Sequence, residues 1–249
     1  MLYFIPILCT IVCGNIHFLD FQQGIFHMGF MDRDYYRDDM YGDRQPGMQI
    51  RIGSGWTPIL KYLIIVNVAV FLIQLIVRSN GIHLTDSLGL HSSGEKSGYL
   101  WQLATYMFLH GGPGHLLINM LILYMFSGDV ERALGSERFL QYYLLCGVGA
   151  GIFTVLIPTS SLATVGASGA ILGVLAAFGM LFPNRIIIFM LIIPMKAKNM
   201  VLLAAGIQVL YLISGGGGNI AYVTHIGGMA VGWFLLRHWR KKGVRFGNG

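Results

Sequence analysis

Long apolar runs separated by short polar stretches fill the chain from residue 58 onward. Six of them read as membrane spans: residues 59–77, 115–127 with an extension toward Val130, 139–157, 165–182, 199–213 and 220–237. A helix rises about 1.5 Å per residue, so some 20 apolar residues cross a hydrocarbon layer. Residues 186–193 are apolar too, but only eight residues lie between Arg185 and the region of Lys196, which suits an interfacial segment better than a span. A long loop, residues 78–114, joins the first two spans and carries a semi-polar amphipathic part around residues 99–110. The fold class expected is all-α: a polytopic membrane protein with a six-helix bundle.

The chain before the first span differs in character. Residues 1–12 are apolar, carry no Lys or Arg, and are too short to span. They resemble the apolar part of a signal peptide without its basic start or small-residue cleavage site. Residues 20–55 are polar and Gly-rich around Asp32-Arg-Asp-Tyr-Tyr-Arg-Asp-Asp39. The organisation expected is therefore a poorly ordered cytoplasmic leader over residues 1–57, a membrane domain over 58–238 and a basic cytoplasmic tail over 239–249. An internal start at Met28, Met31 or Met48 is the alternative reading of the leader, which an intact mass including residues 1–27 would remove.

Composition sharpens the picture. The chain is 55% hydrophobic and 11% charged, where a soluble domain carries about 25% charged residues. A lipid-facing surface explains the missing charge. The net charge of +6 does not point to nucleic acid, because the basic residues flank apolar runs or sit in the tail from Arg237 to Arg245. Six spans put both ends on one side of the membrane. On that side fall 15 of the 17 Lys and Arg residues, and only Arg78 and Lys96 fall on the other. The bias orients both termini toward the cytoplasm, and a prokaryotic plasma membrane is the expected location. Cys9, Cys13 and Cys146 have no His or Cys cluster around them that would complete a metal site.

Polar groups inside spans are costly and mark functional sites by default. Four matter: His115 and Asn119 at the start of the second span, Ser168 near the start of the fourth, and His225 near the start of the sixth. Even-numbered spans run from outside to inside, so all four lie at similar depth in the outer half. Ser168 sits in Gly166-Ala-Ser-Gly169, where a helix N-terminus offers free backbone N–H groups to an oxyanion. Gly169 and Gly173 are four apart, as are Gly228 and Gly232. Close approach of those two glycine faces would bring His225 to Ser168. His115 and Asn119 share one helix face and are candidate oxyanion donors. No carboxylate is available in the outer half, so the chemistry on offer is a Ser–His dyad and not a full triad. His110, His115 and His225 could be imagined around zinc, but no carboxylate is at hand to support such ligands, and no metal or cofactor is expected. Asn67, Gln74 and Gln208 each stand alone in their stretch and read as helix–helix hydrogen-bonding residues.

Three segments together resemble the rhomboid family of intramembrane serine proteases: His110-Gly-Gly-Pro-Gly-His-Leu-Leu-Ile-Asn119, Gly166-Ala-Ser-Gly169, and His225-Ile-Gly-Gly228 followed by Gly232. The resemblance covers about residues 58–238. It implies Ser168 as nucleophile, His225 as general base, and His115 and Asn119 as oxyanion donors beside the Ser168 N–H. It implies a six-helix core with a water-filled cavity open to the outside, and residues 78–114 as the large first loop. The fifth helix and Ser214-Gly-Gly-Gly-Gly-Asn219 would form the gate. The expected partners are transmembrane protein substrates and the lipid bilayer. Glu131-Arg132 matches the family's acidic–basic pair, a structural clamp. Two departures stand out. Gln102 follows Trp101 where the family often has Arg, which removes an expected loop anchor. Leu172 replaces an aromatic that often stacks on the catalytic imidazole, which removes a support for His225.

Two other classes compete. A catalytically silent relative that binds membrane clients would have no need of both Ser168 and His225. A small transporter would need a polar path, and the four polar groups stop in one half of the membrane.

Overall fold

The computed structural model describes residues 55–93, 99–157, 163–189, 193–214 and 219–243. Nearly all of the expected leader, residues 215–218 of the expected gate and the last six residues of the tail lie outside that set. The elements in chain order are α1 (Pro58–Ser79), α2 (Leu84–Leu88), α3 (Gln102–Thr105) with a 3-10 turn (Tyr106–Phe108), α4 (Pro113–Leu134), α5 (Ser136–Leu156), α6 (Ser168–Leu181), β1 (Ile186–Phe189), β2 (Ile193–Lys196), α7 (Ala197–Ile213) and α8 (Asn219–Lys241).

Among the described residues, the six segments expected to span overlap the six longest helices. By length and apolarity alone, α1 and α5 are sufficient to cross a membrane, and α6 and α7 are apolar but shorter. At 14 residues, α6 is about 21 Å long. The described part of the apolar segment after Arg185 is not helical. Its run of β-branched isoleucines favours extended backbone, and it forms an antiparallel hairpin in which Ile186 pairs with Lys196 and Phe189 with Ile193.

One end of the bundle is fastened by carboxylates. α1 begins with Pro58 at its first turn, and its orphan N–H groups need acceptors. Glu131, near the C-terminus of α4 and only 2% exposed, supplies them. The N–H groups of Ile59 and Leu60 each donate to it at 3.0 Å, the Thr57 hydroxyl donates to it as well, and the Ser136 hydroxyl donates at 2.7 Å. A negative charge at a helix N-terminus is also favoured by the helix dipole. Asp129 binds Arg185 just beyond α6 at 2.5 Å and approaches Arg132 at 3.8 Å. α4 turns into α5 through Gly135 alone, whose φ of +81° favours glycine.

The centre is held by small residues. α6 and α8 run parallel and touch backbone to backbone, because a Cβ on Gly228 would stand 1.9 Å from the Gly169 oxygen and one on Gly232 would stand 2.9 Å from the Gly173 Cα. α5 packs antiparallel across both. Its Tyr142 hydroxyl donates to the Gly173 carbonyl at 2.9 Å, and Thr154 bonds Thr224 of α8 at 2.6 Å. Buried polar groups need such partners, since an unpaired one costs about 1–3 kcal/mol. Cys146 is buried against Gly173, as a small packing residue would be.

Candidate active site

The N-termini of α4, α6 and α8 lie at the bundle end opposite Glu131. The long loop closes over this end and docks on the strand-like segment that leads into α6. Leu90 and Thr164 pair in both directions (3.0 and 2.8 Å), and the Gly166 N–H donates to the Tyr106 carbonyl at 2.9 Å. Gln102, fully buried, anchors the loop from inside: its amide oxygen accepts from the His91 N–H at 3.2 Å, and its amide nitrogen donates to the Ser87 carbonyl at 3.4 Å. Trp101 donates to the same carbonyl at 3.0 Å. The expected loss of anchoring at Gln102 is thus corrected: a neutral amide that both donates and accepts ties two loop strands together. Gln74 of α1 makes a similar paired contact with the backbone of His110, at 2.9 and 3.3 Å.

Ser168 is the first residue of α6, and its hydroxyl lies 2.8 Å from Nε2 of His225 on α8. The glycine crossing makes this distance. Gly169 follows Ser168 directly, and Gly228 is one turn beyond His225, so the closest approach of the two backbones sits beside the pair. Nδ1 of His225 faces Oε1 of Gln208 on α7 at 2.9 Å.

His115 reaches the same place from α4. A Cβ on Gly166 would lie 2.8 Å from Cε1 and 2.9 Å from Nε2 of His115, and 3.8 Å from the Ser168 hydroxyl oxygen. Gly166 also has a φ of +126°, so both its backbone and its neighbour ask for glycine. Nδ1 of His115 accepts the Gly111 N–H at 3.3 Å, which leaves the proton on Nε2, on the side of Gly166 and Ser168. Asn119 is buried one turn below, and its side-chain N–H donates to the His115 carbonyl at 2.9 Å. One of its two donors is therefore committed to its own helix.

The expected residues are not all equivalent. Ser168, His225 and His115 converge, while Asn119 gives one amide hydrogen to the His115 carbonyl. Sequence reasoning missed the contact of Gln208 with His225. A signal was available: Gln208 lies five residues before the end of α7 and His225 six after the start of α8, so the two antiparallel helices hold them at one level. Asn67 bonds the Leu63 carbonyl of its own helix at 2.7 Å. Leu172, half-buried, packs against the core.

Comparison with known proteins bears on the family of the chain. The model of the rhomboid domain matches residues 97–241. YdcA of Bacillus subtilis (strain 168) is 28% identical over 180 residues, 72% of this chain and 86% of its own. Rhomboid protease AarA of Providencia stuartii is 28% identical over 204 residues, covering 73% of this chain and 72% of that one. Rhomboid protease GluP of Bacillus subtilis (strain 168) is 33% identical over 187 residues, covering 71% of this chain but only 34% of that longer one. With a family model spanning more than half its length, the chain belongs to the rhomboid family.

Proposed function

We propose that the protein is an intramembrane serine endopeptidase that cuts a peptide bond in or beside a transmembrane helix of another membrane protein. Its family and its apolar helices make it an integral membrane protein, and relatives at modest identity are named rhomboid proteases. The observation that carries the reading is the 2.8 Å bond between Ser168 and His225 at a backbone crossing.

Ser168 Oγ attacks the scissile carbonyl carbon while Nε2 of His225 accepts the hydroxyl proton. The carbonyl oxygen becomes an oxyanion. The Nε2–H of His115, the remaining amide hydrogen of Asn119 and the Ser168 N–H at the open turn of α6 are its donors, each worth about 3 kcal/mol in the transition state. Collapse breaks the C–N bond, and the leaving amine takes the proton from His225. Water then repeats the sequence on the acyl-enzyme and frees Ser168. No metal or cofactor enters a step. The six long helices of residues 58–238 cross the bilayer, both ends face the cytoplasm as the Lys and Arg bias directs, and the site opens to the opposite face. Substrates are helices that unwind readily, since an intact helix protects its amides.

A fluorescent phosphonate probe in detergent tests this on wild type, Ser168→Ala and His225→Ala. Labelling of wild type that vanishes in both variants is expected. A well-folded wild type that stays unlabelled would overturn the protease reading and favour a silent client-binding protein.

A further inference from the structure

Ser168 accounts for one nitrogen of the His225 ring. The other faces Gln208, whose amide oxygen lies 2.9 Å from Nδ1. We propose that Gln208 is a positioning residue that sets the tautomer and ring plane of His225, so that the site works as a Gln208–His225–Ser168 chain rather than a bare pair. The inference deepens the serine-protease reading and rests on it.

An amide oxygen can only accept a hydrogen bond, so a ring nitrogen facing it carries the proton. With the proton on Nδ1, the lone pair of Nε2 points at the Ser168 hydroxyl, 2.8 Å away. The opposite tautomer would set an N–H against that hydroxyl and leave no base. Gln208 thus selects the productive form before substrate arrives. When Nε2 takes the serine proton, the imidazolium keeps its Nδ1–H on the dipole of the Gln208 carbonyl.

Two further observations favour a role beyond helix packing. First, the ring has no aromatic platform from α6, where Leu172 stands one turn after Ser168. Its orientation needs another constraint, and a neutral amide supplies one without placing a charge at membrane depth. Second, α7 is weakly held. Its buried residues are Ala197 and Met200, both in its first turn. Farther along, Tyr211 of α7 stacks on Tyr222 of α8 at 5.2 Å and 10°, one turn beyond the Gln208–His225 bond. The bond and the stacked pair together lay this half of α7 against α8. The orientation of the base therefore depends on α7 being in place.

The test uses the full chain in detergent as wild type, Ser168→Ala, Gln208→Met and Gln208→Glu. Methionine keeps the length and removes the acceptor. Glutamate keeps a carbonyl oxygen at the same place whether or not it is ionised. The readouts are the melting temperature, the phosphonate labelling rate, kcat and KM on a transmembrane substrate, and the protonated nitrogen of His225 by 15N spectroscopy. Wild type is expected to carry its ring proton on Nδ1. Gln208→Met should melt like wild type, label roughly 10–100-fold more slowly and lose kcat with KM within about twofold. Gln208→Glu should recover most of the rate. Labelling of Gln208→Met at the wild-type rate, a loss confined to KM, failure of rescue by Gln208→Glu, or a wild-type proton on Nε2 would each overturn the positioning role. Unlabelled, well-folded wild type would overturn the protease reading and this inference with it.

Discussion

Gly228→Ala tests whether the α6–α8 crossing sets the catalytic distance. The new Cβ would stand 1.9 Å from the Gly169 carbonyl oxygen, in contact with backbone that cannot rotate away. A carbon and an oxygen at a helix crossing sit comfortably at about 3.3 Å. The helices must therefore part by about 1.4 Å here. His225 is one turn from Gly228 and Ser168 is next to Gly169, so much of that displacement reaches the 2.8 Å bond between them. Moved rigidly, the bond would open toward about 4 Å, beyond hydrogen-bond range. A misplacement of about 1 Å at a reacting pair costs about 100-fold in rate, or about 2.7 kcal/mol in the barrier. The assay is the phosphonate labelling rate in detergent, with a melting curve on the same sample. Gly206→Ala on α7 is the control, because a Cβ there meets nothing within 4 Å. It should label like wild type and hold the helix more firmly by about 0.5–1 kcal/mol. If folded Gly228→Ala labels as fast as Gly206→Ala, the crossing does not set the distance and the reasoning fails.

Three more substitutions follow from the same structure. Glu131→Ala strips the acceptor from the N–H groups of Ile59 and Leu60 and from two hydroxyls; thermal denaturation should show a loss of about 3 kcal/mol, with labelling retained by whatever remains folded. Gly166→Ala meets His115 at 2.8 Å and a φ of +126°; the labelling rate should fall by more than about 30-fold, given what a displaced reacting group costs, and backbone strain should lower stability by about 1–3 kcal/mol in a melting curve. Gln102→Ala leaves the His91 N–H and a share of the Ser87 carbonyl without their partner; the loop should become susceptible to limited proteolysis, with about 1–2 kcal/mol lost from overall stability.

The helices and the meeting of the polar residues were largely legible in the sequence, because the apolar runs stand out between polar stretches and because Ser168, His225 and His115 stand near equivalent helix ends. The paired glycines at 169, 173, 228 and 232 carried the helix crossing as well. What remained hidden depended on side-chain direction. Asn119 and His115 share a face, yet nothing in their spacing says that the amide of Asn119 turns back to the His115 carbonyl. Gln102 read as a lost arginine because charge was considered and not the capacity of an amide to donate and accept at once. Gln208 read as packing because it was alone in its own stretch, and its partner lies 17 residues away across a chain reversal. The segment after Arg185 was too short for periodicity to separate strand from interfacial helix.

Under the proposed function, the length of α6 bears on where a substrate would be cut. Leu181 is one end of this helix, with the Arg185–Asp129 ion pair four residues beyond it, and Ser168 is the other. If the first end lies at one membrane boundary, about 21 Å of helix leaves the serine about 9 Å short of the far boundary of a 30 Å layer. The helix then works as a depth gauge. Under the proposed function it would hold Ser168 at a set distance from one boundary, so the substrate residue that reaches Ser168 would depend on bilayer thickness. Reconstituted in lipids with longer acyl chains, the same enzyme should cut the same substrate farther from the outer surface, and the fragment masses would step by whole residues.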